Sequence, residues 1–185
     1  MNFYTPSEDS YLLCKVVKNY LKINNKEDIS KIKVLDLGTG SGIQSKNLID
    51  FKIKKENIFV SDINEEALKE AKKLGIKVIK SDLFSNIKER YDVIIFNPPY
   101  LPENKYCNEI DVTGGKKGDE TIIKFIKNLK KHLTKNGVCF LLTSSLTPEK
   151  KWKNEAEKQK LKLKKVAEQK LFFERLFIWE IKSSQ

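Results

Sequence analysis

Asn97-Pro98-Pro99-Tyr100 sets an amide side chain, two rigid imino acids and an aromatic ring directly behind an apolar run, residues 91–96. The Asn97 side-chain oxygen and the Pro98 carbonyl can accept both N–H bonds of a planar NH2 group, a carboxamide or an exocyclic amine. The nitrogen of such a group is a weak nucleophile because its lone pair is delocalised. Two acceptors draw electron density onto it and aim it at an electrophile. Pro99 stiffens the loop, and the Tyr100 ring can pack on the planar group. No strong base is required, since the proton becomes acidic as the new bond forms. Catalysis would then be orientation plus preorganised acceptors.

A second stretch, Asp36-Leu37-Gly38-Thr39-Gly40-Ser41-Gly42, supplies the partner chemistry. Gly38, Gly40 and Gly42 permit a tight turn and close approach of backbone to a ligand. Dinucleotide sites use a similar turn, but they want a further glycine where this chain has Ile43. Asp36, at the mouth of the turn, would repel a pyrophosphate. It would welcome the methionyl ammonium of S-adenosylmethionine, which has no phosphate. Asp62 ends the next strand, where an acidic residue holds ribose hydroxyls. Asp82 ends the one after, where it can accept from an adenine amino group while the Leu83 amide meets the ring. Three acidic strand ends in successive units point to one cofactor site and to transfer of a methyl group to a planar nitrogen.

These loops need a scaffold, and the hydrophobic periodicity provides one. Leu12, Leu13, Val16, Val17, Tyr20 and Leu21 recur at helical spacing after a Ser7 cap and the first-turn acids Glu8 and Asp9. Strands follow at 32–37, 57–61, 76–79 and 91–96. Helices at 42–51 and 64–74 alternate with them, the second closed by Gly75. A polar loop from 101 to 118 leads to a helix at 119–133. Asn136-Gly137 reads as the turn into a strand at 138–142, and a Lys-rich helix starts at Thr147-Pro148. Residues 161–182 alternate like an antiparallel hairpin. Strict strand–helix alternation predicts a doubly wound α/β fold with a parallel sheet, as one domain over residues 1–185.

Composition narrows the classes further. No apolar run is long enough to span a membrane, and the chain opens without a basic-then-apolar leader. Cys14, Cys107 and Cys139 lack the spacing of a metal or redox motif, so no metal site is expected and a reducing, cytoplasmic compartment is. The net charge of +11 invites a polyanion, but arginine occurs only at Arg90 and Arg175 and the lysines are spread along the chain. A solvated surface is therefore preferred to direct nucleic-acid binding. His132 near a helix end is read as a cation favouring the dipole, not as a catalyst.

On these residues the chain resembles the class I methyltransferases, and within them the HemK family of protein-glutamine methyltransferases. The resemblance is carried by Tyr4-Thr5-Pro6-Ser7-Glu8-Asp9-Ser10, the glycine turn, Asp62, Asp82-Leu83, Asn97 to Tyr100, and Gly114-Gly115 through Gly118. The opening Pro-x-Glu-Asp-Ser is similar to the archaeal and eukaryotic branch, which lacks the N-terminal helical domain of bacterial members. The resemblance implies a Rossmann-like, seven-stranded sheet with its last strand antiparallel and helices on both faces. It implies S-adenosylmethionine as cofactor, Ser10 at the methionyl carboxylate, and Asn97 to Tyr100 around the substrate amide. The implied substrate is the glutamine of the Gly-Gly-Gln motif in a class 1 translation release factor. Some relatives use a small zinc-binding activator at the strand-three edge, where this chain has Lys77 and Lys80. The alternatives are a nucleic-acid methyltransferase acting on adenine N6 or guanine N2, a protein lysine methyltransferase, and a cofactor-binding stabilising subunit without activity.

Overall fold

The structure is a computed structural model that describes residues 5–24, 29–102 and 114–184. Tyr4, Asn25, Cys107 and the middle of the 101–118 loop lie outside the described residues.

Among the described residues seven strands and five α-helices are found; they alternate as the sequence predicts except between the third and fourth strands and between the last two, where no α-helix intervenes. They are α1 (Glu8–Ile23), β1 (Val34–Leu37), α2 (Ile43–Asp50), β2 (Ile58–Asp62), α3 (Glu65–Lys73), β3 (Lys77–Lys80), β4 (Tyr91–Phe96), α4 (Glu120–His132), β5 (Leu133–Ser144), α5 (Glu149–Lys158), β6 (Leu161–Lys170) and β7 (Arg175–Ser183). The strands form one sheet in the order β3-β2-β1-β4-β5-β7-β6. β1 to β5 pair in parallel, whereas β7 runs antiparallel to both β5 and β6.

Side chains on a strand alternate between faces, and here both faces are covered, so the central strands are mostly apolar. One face of the sheet (Val34, Val60, Val93, Ile95, Phe140 and Ile178) packs under Leu13 and Val17 of α1, Leu48 of α2 and Leu68 of α3. The other (Leu35, Leu37, Ile94, Phe96, Leu141 and Ile181) packs under Phe125 and Ile126 of α4 and Trp152 of α5. Trp152 is fully buried and meets the Trp179 ring edge-on at 5.4 Å. The remaining polar face of α5 is wet, as expected for a Lys-rich helix.

Two local expectations change. Ser7 sits at the N-cap of α1 but makes no capping hydrogen bond; its hydroxyl donates to Glu8 instead. Asn136-Gly137 is not a turn, because β5 begins directly at Leu133. The β4–β5 ladder shifts register between Tyr91 and Val93, and a Cβ at Gly137 would lie 2.8 Å from the Tyr91 carbonyl. The glycine therefore serves a bulge where two backbones approach closely.

Strand order reverses between β1 and β4, and in open α/β sheets the ligand crevice lies outside the carboxyl ends of the strands at such a point. The carboxyl ends of β1 and β4 carry the glycine turn and Asn97. At the far edge, β6 exposes Lys162, Lys164, Lys165 and Lys170. Charged edges discourage pairing with another chain, which gives part of the lysine excess a structural use.

Candidate active site

The turn after β1 is drawn onto β2. The Gly38 and Thr39 N–H groups both donate to the Ser61 carbonyl, at 2.8 and 3.1 Å, and Gly42 N–H closes on Thr39 at 2.8 Å. Gly42 adopts a left-handed conformation, φ 73°, immediately before α2, which a side chain would strain. Gly40 N–H donates to Asp62 Oδ2 at 2.9 Å, and Asn64 N–H donates to Asp62 Oδ1 at 2.9 Å. Asp62 thus joins two strand ends while each oxygen keeps a free lone pair.

Asp36 lies deeper than its position in the sequence suggests. It is buried, and Oδ2 accepts from Thr39 Oγ1 at 2.7 Å and Ser45 Oγ at 2.8 Å. Burial raises its pKa to about 6, against the lowering effect of those two hydroxyls and with a smaller push from the Asp62 charge. Its carboxylate forms part of the cavity floor rather than an exposed rim.

The first turn of α1 brings Asp9 and Ser10 into the same place, both buried. Gln44 in α2 fixes that helix: its Nε2 donates to the Ser10 carbonyl at 2.9 Å, and Cys14 Sγ–H donates to its Oε1 at 3.2 Å. Burial, with the Asp36 charge, pushes the Cys14 thiol up to about 12, so it is a structural donor and not a nucleophile.

Asn97 Nδ2 donates to Asp9 Oδ2 at 3.0 Å. Its Oδ1 is buried and has no hydrogen-bond partner among the described residues. The loop beyond is held from two sides. Thr147 Oγ1 donates to the Tyr100 carbonyl at 3.1 Å, and Gly114 N–H donates to the Leu101 carbonyl at 2.8 Å. A Cβ on Gly114 would lie 2.5 Å from the Pro99 carbonyl, and one on Gly118 would lie 2.7 Å from the Tyr100 carbonyl. These glycines thus let the chain press directly on the Asn97–Tyr100 loop.

These groups enclose one cavity of ≈ 330 Å³. Every site residue expected from the sequence lines it (Ser10, Asp36, Gly38, Gly40, Asp62, Asp82, Leu83, Asn97, Pro98, Pro99 and Tyr100) except Gly42, which acts through the turn geometry. In a chain of net charge +11, the described lining holds four aspartates (Asp9, Asp36, Asp62 and Asp82) and no lysine, arginine or histidine. That donor set fits S-adenosylmethionine: a cationic, phosphate-free ligand with a diol, an ammonium and an adenine amine. It does not fit a dinucleotide.

Asp9, Gly114 and Gly118 belong to the stretches that carry the resemblance but have no assigned site role in the sequence, and Gln44 and Thr147 are not among the expected site residues. Gln44 and Ser45 carry a faint signal, being polar on the buried face of a helix; Thr147 carries none. His132 departs from expectation. It stacks on Phe84 at 4.3 Å between ring centroids with Nδ1 3.1 Å from the Glu89 carbonyl. Burial, then Lys131 and Arg90, lower its pKa, so it is a neutral packing group and not a cation at the helix end.

No group of three or more His, Cys, Asp or Glu side chains that could hold a metal ion is found among the described residues. No helix there is long and apolar enough to cross a membrane.

The family model for the methyltransferase small domain matches residues 19–172. A putative protein N5-glutamine methyltransferase of Methanocaldococcus jannaschii is 38% identical over 187 residues, covering 95% of this chain and 89% of that protein. Ribosomal RNA small subunit methyltransferase C of Actinobacillus pleuropneumoniae is 42% identical over 82 residues, 41% of this chain and 25% of that protein. Among solved structures, one chain of the E. cuniculi Mtq2-Trm112 complex, responsible for methylation of the eRF1 translation termination factor, superposes with a TM-score of 0.79 and 26% identity. The match covers 100% of both chains.

Proposed function

The chain belongs to the methyltransferase small domain family and is an S-adenosylmethionine-dependent methyltransferase; on that footing we propose that it methylates the glutamine side-chain amide of the Gly-Gly-Gln motif in a class 1 translation release factor. The observation that carries this reading is Asn97 Oδ1, a buried acceptor in the cavity wall without a partner among the described residues. A buried acceptor left unpaired is costly, and a primary amide supplies the N–H it lacks.

The bound cofactor supplies an electrophilic methyl carbon. Asp36 would hold its ammonium, Ser10 its carboxylate, Asp62 its ribose hydroxyls, and Asp82 with the Leu83 amide its adenine; all of them line the cavity. Gly38, Gly40 and Gly42 keep the backbone close enough for these contacts. Asn97 Oδ1 and the Pro98 carbonyl accept the two N–H bonds of the glutamine, Pro99 fixes the loop, and the Tyr100 ring covers the amide plane. As the N–C bond forms, the sulfur–methyl bond breaks to leave S-adenosylhomocysteine, and one amide proton leaves to solvent, so no base is recruited.

The substrate assignment is supported by a glutamine methyltransferase relative that matches 95% of the chain, against 41% for the ribosomal RNA relative. The absence of cationic side chains from the described cavity lining also disfavours a nucleotide target. The lysine and non-enzymatic readings have no comparable support.

A small zinc-binding activator would add a strand to β3. β3 is the last strand on its side of the sheet, its inner residues Val78 and Ile79 are partly exposed, and the solved relative is itself a two-protein complex. We place the enzyme in the cytoplasm, where release factors act. Incubation with methyl-labelled cofactor and a class 1 release factor, with and without the activator, tests the assignment. Mass spectrometry should find one methyl group on the Gly-Gly-Gln glutamine. Label only on lysine or in RNA would overturn it.

A further inference from the structure

An amide side chain has two ends of similar shape and opposite hydrogen-bonding character. Rotating Asn97 by half a turn would present an NH2 group to the cavity in place of its oxygen. A donor facing a substrate NH2 repels it and accepts nothing from it. Whatever holds Asn97 in one orientation therefore decides whether the loop can work.

Asp9 holds it. The contact joins residues 88 apart in sequence, with Asn97 Nδ2 donating to Asp9 Oδ2 at 3.0 Å. A carboxylate only accepts, so it selects the NH2 end of the amide and turns the oxygen away. That oxygen is the buried Oδ1, which has no partner among the described residues. The carboxylate is itself fixed: only 3% of Asp9 is exposed, and Oδ1 accepts the Ser10 N–H at 2.5 Å. An acid in the first turn of a helix commonly serves the dipole from the surface, but Asp9 is enclosed and faces the cavity.

We propose that Asp9 is a positioning residue that sets the polarity of the Asn97 amide, so that the site accepts an NH2 substrate. The assignment rests on the reading that Asn97 Oδ1 binds the substrate amide. It also explains why the start of α1 belongs to the site: one turn places Ser10 against the cofactor region and Asp9 behind the catalytic loop.

Four variants test it: Asp9→Ala, Asp9→Asn, Asn97→Ala, and Asp9→Ala with Asn97→Ala. Each is measured for S-adenosylhomocysteine affinity and for kcat and KM with a class 1 release factor. Asp9→Ala should lower kcat by about 100-fold, the scale of a misplaced catalytic group, with cofactor-product affinity and KM within a few-fold of wild type. Asp9→Asn, which can pair with either end of the amide, should lose about 10-fold on the same scale and guards against misfolding of the alanine variant. The double variant should be no slower than Asn97→Ala alone, since residues acting through one another are not additive. Unchanged kcat in Asp9→Ala, or additive losses in the double variant, would overturn the assignment and leave the Asn97 reading standing. Unchanged turnover in Asn97→Ala would defeat the underlying reading itself.

Discussion

Gly40 donates its backbone N–H to Asp62 Oδ2 at 2.9 Å, so the turn that ends β1 is pinned to the carboxylate that ends β2. The residue assigned to the ribose hydroxyls is therefore also the clasp of the glycine turn. Asp62→Ala removes both functions at once. S-adenosylhomocysteine affinity should fall by about 100-fold, the scale of losing two hydrogen bonds to a charged acceptor. Hydrogen exchange at the Gly40 amide should quicken in the absence of ligand. Asp62→Asn keeps one acceptor oxygen and should fall between.

Asp36 predicts a pH signature. Its carboxyl titrates at about 6 because burial opposes its charge. A ligand ammonium beside it favours the charged form, so binding releases a proton near and below that pH. S-adenosylhomocysteine affinity should be flat above pH 6 and weaken by about tenfold per unit below it. Asp36→Asn should bind more weakly at neutral pH and lose this dependence. Stability moves the other way in the free protein. A folded pKa above the unfolded one contributes stability that is complete below about pH 4 and lost as pH rises through 6. Isothermal titration and denaturant melts across pH 4 to 8, run on both forms, check the two signs.

Gly114 predicts a loss of turnover without loss of cofactor. A Cβ there would lie 2.5 Å from the Pro99 carbonyl and 2.6 Å from the Gly118 carbonyl. Both neighbours are backbone and cannot swing aside, so the Asn97–Tyr100 loop must shift. Gly114→Ala should lower kcat by about 100-fold, since an ångström of displacement has that effect. S-adenosylhomocysteine affinity should stay within a few-fold. Equal losses in both would place Gly114 in general stability instead.

Much of this was legible in the sequence for a definite reason. Strands buried on both faces read as continuous apolar runs, so β4 at Tyr91–Phe96 has the predicted bounds. Asn97 follows such a run, Asp36 and Asp62 fall in the last two residues of β1 and β2, and Asp82 lies just past the edge strand β3; a parallel sheet brings the carboxyl ends of its strands together. What escaped were relations across the chain. Asp9 reads as a first-turn acid, and only the packing of α1 over the sheet brings it to Asn97. His132 reads as a helix-end cation because its stacking on Phe84 is a tertiary contact. Asn136-Gly137 has turn chemistry, but the Tyr91 carbonyl beside it decides for a bulge.

The central claim is that the Asn97 oxygen and the Pro98 carbonyl grip a glutamine NH2 beside the bound cofactor. A crystal structure with S-adenosylhomocysteine and a Gly-Gly-Gln peptide measures it most directly. The glutamine nitrogen should lie within hydrogen-bond distance of Asn97 Oδ1 and the Pro98 carbonyl, with Asn97 Nδ2 still on Asp9 and its lone-pair face toward the sulfur. A glutamine bound elsewhere, or an Asn97 amide presenting its nitrogen to the substrate, would contradict the claim.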